Sequence, residues 1–270
     1  MKPWNPRSSA VGAYISCDFR AAFDRAIAEG LLPSQPEGPK AYADFGTICH
    51  YELMTRMNLE FPDGKEAPTA EQYTAASMLF SDDPDRMVQR AKDVARFAEP
   101  HVPKPPEGAT WLAETGYKLP DLSGHIDFIS SDGSVIGDLK TTSRKPEHGK
   151  AKATHLWQLL CYAELAQSSG AEPKSAWILY VGSLKDWAVL VEFRLDTPEM
   201  MTLRRHLRKY ISYLRGPTLY DAAMPRPGHH CEGDFCPHRA RCRDRFFPAS
   251  GEATDAPAAP TVTFKANPFA

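Results

Sequence analysis

Apolar residues recur at helical spacing through the first third of the chain and switch to every second position from Trp111 onward. Ala, Ile and Phe keep the helical rhythm from Ser9 to Glu29, and Gly30 closes the run, which predicts a first helix. A second helix is predicted over Tyr42–Leu59 and a third over Ala70–Phe97, with an interruption at Pro84. Alternation then predicts strands at Trp111–Leu119, Ser123–Ser130 and Ser134–Thr142, the last two joined by a turn at Ser131-Asp132-Gly133. A helix over Ala151–Gln167, strands over Ser175–Ser183 and Trp187–Leu195, and a basic helix over Pro198–Leu214 complete the order. Helices, three strands, a helix, two strands and a helix describe an α/β protein built on a mixed sheet. No repeating period supports a solenoid or propeller.

Composition narrows the class. At 270 residues, 42% hydrophobic and 24% charged, the chain is long enough for a substantial core and reads as a soluble globular protein. No apolar run of membrane-spanning length occurs, and the N-terminus lacks the apolar segment of a secretory signal, so a cytoplasmic protein is expected. A net charge of −2 excludes a simple polycation but leaves room for a local basic groove. The Ala- and Pro-rich stretch from Pro248 to Ala270 has no periodicity and is expected to be a disordered tail after a single domain over residues 1–247.

The chemically dense stretch is Gly124-His125-Ile126-Asp127, followed by Asp138-Leu139-Lys140. On a strand, Asp138 and Lys140 share a face while Leu139 points the other way. A hairpin-like pairing would bring Asp127 beside them. Two carboxylates and an ammonium then converge, a donor set suited to Mg²⁺ or Mn²⁺ and to hydrolysis of a phosphodiester. Turn or surface acids paired with a neighbouring lysine would show the same spacing. His50 stands on the predicted second helix, Glu114 on the first strand, and Gln158 and Tyr162 lie four apart, on one face of the helix after Lys140.

Taken in order, Gly46/His50, Gly124/Asp127, Asp138/Lys140/Thr141 and Gln158/Tyr162 resemble the RecB-like branch of the PD-(D/E)xK nuclease superfamily. The resemblance implies a restriction-endonuclease-like mixed sheet flanked by helices. It implies metal binding by His50, Asp127 and Asp138, with help from the Leu139 carbonyl, and Lys140 as the catalytic lysine. Gln158 and Tyr162 would steady Lys140 or touch the DNA backbone, and Glu114 would take an outer or second-metal position.

Six cysteines in a chain without a signal segment argue for metal or reactive thiols rather than disulfides. Cys231, Cys236 and Cys242 form a C-x4-C-x5-C cluster, and Cys17 lies far upstream. Four thiolates suit tetrahedral Zn²⁺ or an iron–sulfur cluster. One cysteine before the core and three after it resemble the iron–sulfur branch of the family, which includes CRISPR-associated adaptation exonucleases and the nuclease domain of AddB-type helicase–nucleases. By that resemblance a 4Fe–4S cluster joins the N- and C-terminal segments. His229, His230 and His238 keep structural Zn²⁺ as the alternative. Cys49 and Cys161 fall in apolar helical patterns and are expected in the core.

Ten Lys or Arg face four acids between Arg204 and Arg245, and Lys140, Arg144, Lys145, Lys150 and Lys152 form a second basic stretch. Either is a candidate surface for a polyanion or a solvated charged face. Tyr42 and Trp157 are candidates for stacking on bases or for core packing. The expected function is a Mg²⁺- or Mn²⁺-dependent DNA exonuclease acting on single-stranded or tailed DNA in recombination, repair, phage DNA processing or CRISPR adaptation. The expected setting is a bacterial or phage-encoded protein with a recombination or adaptation protein as candidate partner. A DNA-binding or scaffold module that kept the fold without hydrolysis is the alternative.

Overall fold

The computed structural model describes residues 4–32, 40–64, 66–147, 150–216 and 219. One sheet runs in the order β1 (Trp111–Lys118), β2 (Ser123–Ser130), β3 (Val135–Thr142), β4 (Ser175–Gly182) and β5 (Ala188–Arg194). All neighbours are antiparallel except β3 and β4. A parallel pair needs a long crossover, and α6 (Ala153–Ser168) supplies it. The sheet is mixed and the class is α/β, as the order of elements predicted.

Helices cover both faces. On one, α3 (Ala41–Arg56), α4 (Ala70–Ser77) and α5 (Pro84–Ala98) bring Phe45, Ile48, Met87 and Val94 against Phe128, Leu139, Trp177 and Leu179. On the other, α1 (Ser8–Ser16), α6 and α7 (Pro198–Arg215) pack Val11, Leu159, Leu160 and Ile211 against Ile126, Ile136 and Ile178. Strand β4 is buried on both sides, which is why Ser175-Ala176-Trp177-Ile178-Leu179-Tyr180-Val181-Gly182 is almost continuously apolar rather than alternating.

The first predicted helix is two. It breaks at Cys17, whose backbone is extended (φ −157°, ψ 100°), and α2 (Asp18–Ala28) restarts immediately. The break lets the Asp18 carboxylate accept the Tyr210 hydroxyl hydrogen at 2.7 Å. It also packs Cys17, Ala21, Ala22 and Phe23 against Leu214 and Leu219 at the far end of the chain. The apolar rhythm runs straight through the corner, so no punctuating residue announces it. Pro84 does divide the third predicted helix. It sits in the first turn of α5, where its missing N–H costs nothing, and the Asp83 side chain caps the Arg86 N–H at 3.0 Å.

No helix among the described residues is long and apolar enough to cross a membrane. The predicted tail 248–270, Cys231, Cys236, Cys242, His229, His230 and His238 all lie outside the described residues.

Candidate metal centre

Strands β1 and β2 keep one register along their length, with Ala113 opposite Phe128 and Thr115 opposite Ile126, but the pair between them, Glu114 and Asp127, is missing from the ladder. Glu114 adopts φ +49°, in the left-handed region, at a cost on the order of 1 kcal/mol for a residue with a Cβ. The pleat changes phase there. Ala113 packs on the α3 side and Tyr117 on the α6 side; likewise Ile126 and Phe128 face opposite layers. Bulge-like irregularities of this kind re-aim side chains, and here they aim two carboxylates at one point.

Strands β2 and β3 pair only at Phe128–Gly137 and Ile129–Ile136. Beyond that they part, and Asp127 Oδ2 accepts the Leu139 N–H at 2.9 Å. A side chain thus takes the place of a sheet hydrogen bond, which anchors the carboxylate at the mouth of the split.

The two motif glycines position the remaining elements. A Cβ on Gly46 would lie 2.9 Å from Thr141 Oγ1, so glycine lets α3 settle directly onto β3. A Cβ on Gly124 would collide with Ser8 Oγ, so glycine lets the start of α1 approach β2. One turn beyond Gly46, His50 Nδ1 lies 3.4 Å from Asp127 Oδ2 and 4.0 Å from Glu114 Oε1. The Leu139 backbone acts on the same ring to favour its protonated form. On β3, Lys140 Nζ donates to Asp138 Oδ1 at 2.7 Å. Asp138 is 0% exposed, and its other oxygen, Oδ2, has no hydrogen-bond partner.

Crowded acids with one cation set the electrostatics. Burial, with the field of Lys140, pulls His50 down to about 4, so its ring is neutral and can offer a lone pair. Burial and Asp127 push Glu114 up to about 8. Asp138 is pushed up to about 6, burial outweighing the attraction of Lys140, and Asp127 is also raised by burial. Burial alone would lower Lys140, but Asp138 and Asp127 outweigh it and hold the ammonium above its usual range.

Donor atoms of His50, Glu114 and Asp127 all lie within 4.8 Å of one another. Two carboxylates and a neutral imidazole fit a hard divalent cation, and the unsatisfied Asp138 Oδ2 beside them is an acceptor in want of one. Glu114, expected in an outer position, stands within this donor group, whereas Asp138, expected as a ligand, is not part of it and acts on Asp127 and His50 through its charge.

The remaining expected residues fall into place differently. Gln158 Nε2 donates to the Tyr162 hydroxyl at 2.6 Å, and both side chains are buried. The pair sits beneath the acids rather than on a surface that a DNA backbone could touch. Near it, His155 Nδ1 and the Tyr180 hydroxyl lie 2.9 Å apart, and Tyr180 is level with Lys140 across the parallel β3–β4 register. Burial together with Lys140 and Lys152 pulls His155 down to about 3. The sequence analysis missed these two residues. His155, Gln158 and Tyr162 follow an i, i+3, i+7 spacing on α6, a signal that could have found the histidine. Cys49 and Cys161 are buried in the core, where loss of solvation pushes both thiols up.

The basic face of α7 is partly engaged. Arg204 and Arg208 both donate to the Glu164 carboxylate and to Gln167 of α6. Trp157 packs half-buried against the α6-side core, whereas Tyr42 is 59% exposed.

A family model described as the PD-(D/E)XK nuclease superfamily matches residues 8–243. A solved structure titled "Crystal structure of SSO0001" aligns at 13% identity over 83% of this chain and 95% of that chain, with a TM-score of 0.31. No curated protein matches the sequence.

Proposed function

Since this chain belongs to the PD-(D/E)XK nuclease superfamily, we propose that it is a Mg²⁺- or Mn²⁺-dependent deoxyribonuclease of the RecB-like type. Its expected mode is exonucleolytic, on single-stranded or tailed DNA. The observation that carries the reading is the meeting of His50, Glu114 and Asp127 within 4.8 Å, next to a buried Asp138 with one oxygen unsatisfied.

His50, Glu114, Asp127 and Asp138 would hold the divalent ion, which when bound acidifies water and stabilises charge on the scissile phosphate. The protein's own part follows from its protonation states. Asp138 and Asp127 hold Lys140 above its usual range, which favours the charged ammonium. It would supply positive charge to the phosphate oxygens, and its bond to Asp138 orients that carboxylate. The Leu139 N–H fixes Asp127, which faces His50 Nδ1 at 3.4 Å. Gln158 and Tyr162 support this layer from below.

A 4Fe–4S cluster on Cys17, Cys231, Cys236 and Cys242, with Zn²⁺ as alternative, belongs to the same proposal. Its support is that Cys17 is buried at the α1–α2 corner and packed with Leu214 and Leu219, which precede the other three cysteines in sequence. The bacterial or phage setting, a cytoplasmic location and a recombination or adaptation partner remain part of the reading.

The test is Mn²⁺-dependent digestion of end-labelled single- and double-stranded DNA by the parent and by Lys140→Ala. Progressive shortening by the parent and loss of at least two orders of magnitude in the variant are expected. Absence of hydrolysis in a metal-loaded parent that still binds DNA would convert the reading to a binding module.

A further inference from the structure

Helix α3 and strand β3 run side by side as two graduated tracks leading out of the centre. His50 lies against the Leu139 backbone, and Gly46 against Thr141. Four helical residues advance about 6 Å, and two strand residues advance about 6.6 Å, so the tracks stay level. The next step on the helix is Tyr42, four residues before Gly46 and on the same stripe. On the strand side β3 ends at Thr142, and a turn held by hydrogen bonds between Thr142 Oγ1 and the Arg144 backbone carries Ser143, Arg144 and Lys145.

Tyr42, Ser143, Arg144 and Lys145 are exposed. Tyr42 makes no ring contact or hydrogen bond among the described residues, and Arg144 and Lys145 form no ion pair there. Tyr42 is 59% exposed, on a helix whose opposite face is core. Exposed cations beside an exposed aromatic are the combination that holds a single nucleic-acid strand, charge on the backbone and ring on the base.

From these placements we infer that Tyr42, with Arg144 and Lys145, forms a strand-holding subsite, in which the Tyr42 ring stacks on a base of the substrate strand. The stripe from His50 to Tyr42 spans about 12 Å. The inference rests on the nuclease reading for its substrate. It adds a positioning residue that the metal centre does not contain.

Binding of a fluorescein-labelled single-stranded oligonucleotide, followed by anisotropy in Ca²⁺, reads this subsite without requiring hydrolysis. Tyr42→Ala is expected to weaken binding about fivefold to a hundredfold, and Tyr42→Phe to stay within about twofold of the parent. In Mn²⁺ the loss is expected in KM, with kcat within about twofold. A single abasic nucleotide walked along the strand is expected to weaken the parent at one position and to add nothing to the loss in Tyr42→Ala. Because Tyr42 is exposed, circular dichroism should show Tyr42→Ala folded. Equal binding by Tyr42→Ala and the parent overturns the inference, as does an abasic profile shared by both proteins. If the stacking signature is present but the parent hydrolyses nothing, the nuclease reading fails and the subsite stands. If the parent binds no oligonucleotide, both fail.

Discussion

Asp127 Oδ2 accepts the backbone N–H of Leu139 at 2.9 Å, across the point where β2 and β3 separate. One carboxylate therefore does a sheet's work with one oxygen and faces His50 with the same edge. Structure and chemistry are coupled at this residue. They can be separated by substitution. Asp127→Asn keeps an acceptor for the amide but loses the charge; Asp127→Ala loses both and leaves a buried N–H unsatisfied. Thermal unfolding should show Asp127→Ala less stable than Asp127→Asn by about 1–3 kcal/mol. Calorimetric titration should show both binding Mn²⁺ much more weakly than the parent. Equal stability of the two variants would mean that the Leu139 contact contributes nothing.

The acid cluster makes a signed prediction about pH. Glu114 has a folded value of about 8 against an ordinary 4.5, so the folded state binds its proton more tightly than the unfolded state. Its contribution to stability is full below its ordinary value and is lost as pH rises toward 8. His50, pulled down to about 4 from 6.5, acts in the opposite sense but only below about 6.5. Asp138 has spent its contribution by about 6. Metal-free protein should therefore lose stability between about pH 6.5 and 8. The slope should be shallow, because Glu114 is partly solvated and screened. Glu114→Gln should flatten it, and Mn²⁺ should raise the melting temperature more at pH 8 than at pH 6, since binding releases the proton. A metal-free melting temperature that rises across that window would contradict the assignment.

Gly46 and Thr141 set the distance between α3 and β3. Gly46→Ala should raise intrinsic helix propensity yet push the helix away from the strand, carrying His50 off Asp127. Mn²⁺ affinity should fall severalfold, and Thr141→Ala in the same chain should restore it by removing the crowding oxygen. The double-mutant cycle reads the coupling directly. Additive losses would show that the two residues do not set this spacing.

The two basic surfaces should behave differently toward salt. Arg204 and Arg208 are committed to Glu164 and Gln167, so their removal should lower the melting temperature by a few degrees and leave the salt slope of DNA binding unchanged. Arg144→Ala and Lys145→Ala should each reduce that slope by about one while leaving stability intact. The reverse pattern would move the nucleic-acid surface to α7.

Much of this protein is written in local spacing. The alternation of β1 to β3, the Pro84 interruption and the crossover α6 that makes β3 and β4 parallel all follow from neighbours a few residues apart. So does the order of the acidic motifs, because Asp138 and Lys140 must share a strand face. The corner at Cys17 was not legible: an apolar rhythm is continuous whether or not the backbone bends, and what stabilises the bend is Tyr210 and Leu214, nearly two hundred residues away. The phase change at Glu114 and Asp127 was hidden for the same reason. Each strand alone is an ordinary alternating segment, and only their pairing, with the left-handed turn of Glu114, brings that carboxylate to His50. Composition also cannot say which arginines are occupied or which tyrosine is exposed, since both depend on what packs opposite. The sequence by itself determined the element order and the chemical groups in play; tertiary pairing decided which groups meet, because side-chain direction in a sheet is fixed by register between strands and not within one.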